Sequence, residues 1–255
     1  VGMHGNVGPN MMTNQCDVLI AIGMRFSDRV TGNLKTYAKQ AKVIHFDIDP
    51  CEIGKNVKPT VGALGDVKKT IKAVYEKMNN NVHYEWINSF ATYENREQDK
   101  VVKKEINPID GRLHMGEVVR KVSEASNKCA VLVTDVGQNQ IMATRYFQFS
   151  RSRSVITSGG LGTMGFGLPA AIGAKIGAPE RTVCCFCGDG GFQMTLQELG
   201  TILQSKIGVK IIVLNNNKLG MVRQWQELFF NERYSFTDMI NPDFTLIAKA
   251  YGIGT

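Results

Sequence analysis

Asp189, set between Gly188 and the pair Gly190-Gly191, and the amide run Asn215-Asn216-Asn217 are the residues of this 255-residue chain whose types and spacing suit metal–phosphate chemistry. Asp189 offers a carboxylate oxygen and Asn216 an amide oxygen. Both are hard ligands of Mg²⁺, an ion that takes few protein groups and fills its octahedron with phosphate oxygens and water. The glycines let backbone N–H groups come close to such phosphates. Taken singly, Gly-Asp-Gly and Asn-Asn are ordinary turn formers. The elements between them raise the pattern above two turns. Residues 182–187 read as a short buried strand. A helix follows, opening with Thr195 and Glu198 at capping-box spacing. Residues 209–214 read as a second strand that ends in the amides. In a parallel βαβ unit both strand ends lie at one edge of the sheet, where open α/β folds take their ligands.

Composition narrows the field without choosing. With 43% hydrophobic and 21% charged residues the chain is an ordinary globular sequence. The net charge of +7 comes from scattered basic residues, such as Lys68-Lys69 and Lys103-Lys104, with no interleaved aromatics. A basic surface that favours anionic cofactors is therefore expected, rather than nucleic-acid binding. No apolar run is long enough to span a bilayer, so no membrane role is expected. No CxxC pair or nearby histidine completes a zinc site, so the six cysteines read as buried free thiols of a reducing compartment, the cytoplasm or an organelle. The chain opens at Val1 without an initiator Met and closes at Thr255 where a strand is expected to begin, so a longer parent protein is expected.

Strand–helix alternation throughout predicts an α/β fold of two doubly wound parallel-sheet domains, each covered on both faces. Residues 1–80 hold predicted strands at 17–23 and 42–49 and a helix at 66–78 with Val67, Ile71, Val74 and Tyr75 on one side. Residues 81–108 read as a polar, helix-compatible connector. Residues 109–255 carry a predicted helix at 115–126, strands at 130–135 and 154–157, and then the Asp189 unit. Gly160-Leu161-Gly162-Thr163-Met164-Gly165 matches GxGxxG and precedes a small-residue helix, which leaves a nicotinamide-binding turn as an alternative.

GDG, a gap of this length and then NN resembles the signature of thiamine-diphosphate enzymes. Across essentially the whole chain the sequence resembles the acetolactate synthase (acetohydroxyacid synthase) catalytic subunits. Gly2 to Gly5, Arg25 to Asn33 and His45 to Pro50 resemble that family's FAD-binding central domain, lacking its first part. Asp135 to Gln138, Gly160 to Gly165, the Asp189 unit and Gly220-Met221-Val222-Arg223-Gln224-Trp225-Gln226 resemble its thiamine domain. The last segment is the most discriminating.

The resemblance implies Mg²⁺ held by Asp189, Asn216 and the carbonyl of Lys218, and a diphosphate lined by Val136, Gly137, Gln138, Gly188, Gly190 and Gly191. It implies Met164 as a hydrophobic wedge under the cofactor and the Gly162 backbone as acceptor for its amino group. Met221 and Trp225 would shape the pocket for the second ketoacid. FAD, structural in this family, would contact Arg25, Arg29, Val30, Asp47, Ile48, Gly65 and Asp66. The implied reaction condenses pyruvate with pyruvate or 2-ketobutyrate, losing CO₂, to give acetolactate or acetohydroxybutyrate for branched-chain amino-acid biosynthesis. Small-molecule 2-ketoacids, a homodimer or homotetramer and a regulatory small subunit are the implied partners. The activating glutamate of the family belongs to a preceding pyrimidine-binding domain, so these 255 residues alone are expected to be inactive. Two positions depart from the family pattern. Asn139 stands where His is usual, and Gly191 where Ser or Ala is common, a change expected to cost little. A thiamine-dependent pyruvate oxidase or decarboxylase, and a non-catalytic relative, remain as alternatives.

Overall fold

The computed structural model describes all 255 residues and divides them into two compact units, Val1–Lys103 and Lys104–Thr255. The first unit carries α1 (Val7–Thr13), β1 (Val18–Ile22), α2 (Asp28–Thr31), β2 (Lys42–Asp47), β3 (Val61–Leu64), α3 (Val67–Tyr75), α4 (Tyr84–Glu97) and a π-helical turn (Gln98–Val102). Its sheet is parallel in the order β1-β2-β3, with Ile22 beside Phe46 and Asp47 beside Leu64. Ala21, Phe26, Tyr37, Ala38 and Val43 form a small core under one face. On the other face Val18, Ile20, Ile22 and Val61 are exposed, while Phe46 is buried, and α3 buries no residue. The parallel pairing expected for this unit holds. The segment predicted as a connector includes α4, which packs on α1 through Phe90 and Tyr93 beside Gly8. Glu97, at the end of α4, accepts the backbone N–H of Val7 at 3.0 Å.

After α5 (Lys103–Ile106), the second unit carries α6 (Met115–Ala125), β4 (Val131–Thr134), α7 (Gln138–Tyr146), β5 (Val155–Thr157) and α8 (Gly167–Gly177). There follow β6 (Val183–Gly188), α9 (Asp189–Met194), α10 (Glu198–Ser205), β7 (Lys210–Leu214), α11 (Gly220–Phe229) and α12 (Phe244–Ala250). The four strands are parallel in the order β5-β4-β6-β7. Central β6 is buried along Val183–Cys187, as a strand covered on both faces should be. Val131, Val133, Cys185 and Cys187 join Leu168, Ala171, Phe192, Leu199 and Ile202 in one continuous core.

Two local expectations fail for identifiable reasons. Thr195 is not the N-cap of α10; its hydroxyl donates to the Gly165 carbonyl at 3.0 Å, tying the end of α9 to the GxGxxG loop. The chain end is not the start of a strand. Asp243 accepts the N–H groups of Thr245 and Leu246 and so caps α12, whose Phe244, Ile247 and Tyr251 pack on the core.

A cavity at three helix starts

Register fixes the site. Gly188 pairs with Leu214, so the residues that follow β6 and β7 emerge side by side at the C-terminal edge of the sheet. A cavity of about 230 Å³ opens there. The first residues of three helices line it: Gln138 of α7, Asp189, Gly190 and Gly191 of α9, and Gly220, Met221 and Val222 of α11. Helix starts leave N–H groups unpaired and carry the positive end of the helix dipole, so together they favour an anion. Gly137, at φ +121°, turns the chain from β4 into α7, a conformation that suits glycine.

The sequence-assigned residues converge. Val136, Gly137, Gln138, Gly162, Met164, Gly188, Asp189, Gly190, Gly191, Asn216, Lys218 and Met221 all line this one cavity. Trp225 does not; it lies further along α11, stacked on Phe229 with ring centroids 4.7 Å apart. Met115, Leu214 and Leu219 complete the apolar wall, and nothing but their hydrophobicity marks them in the sequence.

Asp189 is buried, and its Oδ2 accepts a 2.7 Å hydrogen bond from Asn241 Nδ2. The Asn216 amide oxygen accepts the Lys218 N–H at 3.1 Å, which holds it in a fixed turn. No group of three or more His, Cys, Asp or Glu side chains is present that could hold a metal. The donor set around Asp189 and Asn216 suits Mg²⁺, which takes few protein side chains and completes its shell with backbone carbonyls, phosphate oxygens and water.

Asp135 organises the opposite wall. Fully buried at the end of β4, it accepts the N–H of Gly167 at 2.8 Å through Oδ2 and that of Gly165 at 3.2 Å through Oδ1. These bonds seat the loop that presents Gly162 and Met164. They also bring the chains so close that a Cβ on Gly191 would collide with the Asp135 carboxylate. A side chain at position 191 therefore costs more than the resemblance implies, because Asp135 has to shift to admit it. Asn139 lines the cavity with Nδ2 donating to the Val136 carbonyl at 3.1 Å, while its buried Oδ1 has no partner.

Topology removes the nicotinamide alternative. The GxGxxG turn follows β5, and the dinucleotide fold needs the acidic residue at the tip of the next strand in the chain, lying directly beside the first. Here β4 separates β5 from β6. Burial lifts the Cys184 thiol to about 11, and the hydrogen bond between Cys187 and Cys185, then burial, raises the Cys187 thiol, so neither favours the reactive thiolate.

In the first unit, the residues assigned to FAD gather at the C-terminal edge of its own sheet. Asp47 ends β2 and Ile48, exposed, follows it. Gly65 donates its N–H to the Asp47 carbonyl at 2.9 Å, and Asp66 caps α3 through Lys68 and Lys69. Arg29 and Val30 lie in α2, and Arg25 follows the Gly23 turn at the end of β1. Asp47 Oδ1 accepts the Asp49 N–H at 2.9 Å, and Oδ2 has only His45 Nε2 at 3.7 Å, beyond hydrogen-bond reach. A Cβ on Gly23 would meet nothing within 4 Å. An open edge with a carboxylate oxygen still to be satisfied fits the hydroxyls of a ribose.

Comparison with known proteins agrees with this geometry. Residues 135–255 match the thiamine pyrophosphate enzyme C-terminal TPP binding domain, and residues 1–74 match the thiamine pyrophosphate enzyme central domain. The chain is 44% identical over 254 residues to the acetolactate synthase isozyme 2 large subunit of Escherichia coli (strain K12), covering 99% of this chain and 45% of that protein. It is 42% identical over 259 residues to the acetolactate synthase large subunit of Parasynechococcus marenigrum (strain WH8102), covering 99% of this chain and 41% of that one. The same subunit of Lactococcus lactis subsp. lactis (strain IL1403) is 41% identical over 254 residues, with 99% and 43% covered. The chain thus spans less than half the length of these relatives. No helix is long and apolar enough to cross a membrane. The chain belongs to the thiamine pyrophosphate enzymes, carrying stretches of their central domain and of their C-terminal TPP binding domain.

Proposed function

We propose that the cavity at the tips of β6 and β7 holds the diphosphate of thiamine diphosphate through Mg²⁺. In this reading the whole protein condenses pyruvate with a second 2-ketoacid, pyruvate or 2-ketobutyrate, with loss of CO₂. What carries the reading is that three helix starts, Asp189 and Asn216 line one cavity.

The electrostatics argue for a metal. Lys218 is the only lysine or arginine lining the cavity, and Asp189 brings a negative charge to it. A diphosphate beside that carboxylate is repelled unless a divalent cation lies between them. Asp189, the Asn216 amide oxygen and the Lys218 carbonyl would hold the ion. The N–H groups of Gly137, Gln138, Gly190 and Gly191 would bind the remaining phosphate oxygens. Bound thiamine diphosphate supplies an electron sink at its thiazolium ring. Met164 would press against the cofactor from below, and the Gly162 carbonyl would accept a hydrogen bond from its amino group. Met221, Leu219 and Val136 give the mouth apolar walls that exclude water, which favours a ketoacid over a proton as the electrophile. Trp225 and Met221 would shape the acceptor pocket.

Asp47, with Arg25, Arg29, Val30, Ile48, Gly65 and Asp66, would hold FAD as a structural group. The division into a central domain to residue 80, a connector at 81–108 and a thiamine domain from 109 belongs to the same proposal, as do a homodimer or homotetramer and a regulatory subunit. So does a reducing compartment, supported by six free cysteines. Acetolactate formed from pyruvate by the whole protein, and lost in Asp189→Ala, would support the assignment. Acetaldehyde or hydrogen peroxide as the main product would replace it with a decarboxylase or an oxidase.

A further inference from the structure

We propose that Asn241 is a positioning residue for the divalent cation: it holds Asp189 and the amide turn in register so that one carboxylate oxygen is presented to the metal. The proposal rests on the Mg²⁺ reading above and extends it to a residue that never touches the ion.

Asn241 Nδ2 lies 2.7 Å from Asp189 Oδ2, 2.8 Å from Asn215 Oδ1 and 3.0 Å from Asn217 Oδ1. Its orientation is fixed from the other side, where the amide oxygen accepts Gln193 Nε2 at 2.9 Å. One NH₂ group has two hydrogens for three acceptors. The charged acceptor gives the strongest and shortest bond, so one hydrogen is committed to Asp189. That bond occupies Oδ2, and no hydrogen bond of the chain ends on Oδ1. The second hydrogen is shared between Asn215 and Asn217, the two residues flanking Asn216. Asn241 therefore bridges the tips of β6 and β7 on either side of the proposed ion.

The segment leading to Asn241 reinforces the same turn. Leu219 N–H donates to the Thr237 carbonyl at 2.8 Å, and Met239 N–H to the Asn217 carbonyl at 2.9 Å. Lys218 and Asp238 thereby form an antiparallel bridge. Arg223 adds a 3.1 Å ion pair to Asp238. The strap thus uses the backbone groups on either side of Lys218, while no backbone hydrogen bond ends on the Lys218 carbonyl itself. Asn217 sits at φ +56°, a left-handed conformation that asparagine tolerates. The turn is held open by the strap rather than by its own hydrogen bonds alone.

The test is Mn²⁺ affinity, read by electron paramagnetic resonance with thiamine diphosphate present, on the whole protein and its variants. Asn241→Leu keeps the bulk and removes the donor; it should weaken Mn²⁺ binding by about 10–100-fold, the usual effect of losing an outer-shell partner. The line shape of bound Mn²⁺ should change with it. Asn241→His, which restores one N–H at similar reach, should recover most of the affinity. Unchanged Mn²⁺ affinity and line shape in a folded Asn241→Leu protein would overturn the proposal. If that variant does not fold, Gln193→Ala, which frees the Asn241 amide, reads the same quantity: weaker binding supports the proposal and unchanged binding overturns it. Asp189→Ala separates the two claims. If it abolishes Mn²⁺ binding while Asn241→Leu leaves binding intact, only the role of Asn241 falls. If Mn²⁺ binding survives Asp189→Ala, the metal reading falls and this inference with it.

Discussion

Asp135 Oδ2 accepts the backbone N–H of Gly167 at 2.8 Å, so a single buried carboxylate at the end of β4 anchors the start of α8. Its Oδ1 takes the Gly165 N–H as well. Asp135→Ala strands two buried backbone donors, each costing about 1–3 kcal/mol. Urea unfolding should show a loss of about 2–4 kcal/mol, with Asp135→Asn between the variant and wild type. Thiamine diphosphate affinity should fall too, because the loop bearing Gly162 and Met164 loses its anchor. A stability change below about 0.5 kcal/mol, the usual range for surface changes, would show that these bonds do not hold the loop.

Two glycines of α8 should respond in opposite directions. A Cβ on Gly167 would lie 2.9 Å from Asp135 N and 3.1 Å from its Cα, backbone atoms that cannot swing aside. Gly167→Ala should cost about 1–3 kcal/mol, the range for overpacking. Gly173, exposed in the middle of the same helix, has open space around a Cβ. Gly173→Ala should stabilise by about 0.5–1 kcal/mol through helix propensity and a less flexible unfolded chain. Thermal unfolding of the two variants side by side gives the sign of each.

His114 sits between two carboxylates, Nε2 at 3.2 Å from Asp110 and Nδ1 at 3.1 Å from Glu105, whose other oxygen accepts the Gly116 N–H. The bond to Asp110, then that to Glu105, raises the imidazole above its ordinary value of 6.5. Asp110 is lowered by the Arg112 N–H and by His114. A histidine raised on folding contributes stability that is fully present below the unfolded value of 6.5 and is lost as pH climbs through the folded value. Wild type should therefore lose melting temperature, relative to His114→Gln, as pH rises above 6.5. Parallel melting curves for the two proteins across that range would remove the clamp from the account.

A substitution at Asp47 tests the proposed FAD site apart from the proposed thiamine diphosphate site. Asp47→Ala should weaken FAD binding, followed by flavin fluorescence, and leave thiamine diphosphate binding unchanged. Equal loss of both cofactors would indicate general damage to the fold instead of a flavin contact.

What the sequence made legible follows from the physics of each signal. The strand at β6 was clear because a β-branched and thiol-rich run between polar ends has no other way to bury itself. Asp189 and Asn216 were expected together because a parallel βαβ unit returns both strand tips to one edge, whereas Lys218 was implied by the family resemblance alone. Asn241 was not legible: it comes 24 residues after Asn217, in a strap with no periodic pattern. Asp135 was legible only as part of a motif, since nothing local shows that its carboxylate reaches across 32 residues to Gly167. Four-residue β3, with a glycine among its residues, is too short to carry a strand period. α12 is only seven residues long, so Asp243 at its cap and Phe244 and Ile247 on one side give a weak helical signal beside the glycines that follow.

The central claim is that Asp189 and Asn216 share a divalent cation that grips a diphosphate at the three helix starts. Calorimetric titration of thiamine diphosphate, with Mg²⁺ and then with excess chelator, tests it most directly when run on wild type and Asp189→Ala. The account predicts binding that requires Mg²⁺, is displaced by inorganic pyrophosphate and disappears in Asp189→Ala. Binding that persists in chelator, or that Asp189→Ala leaves untouched, would contradict it.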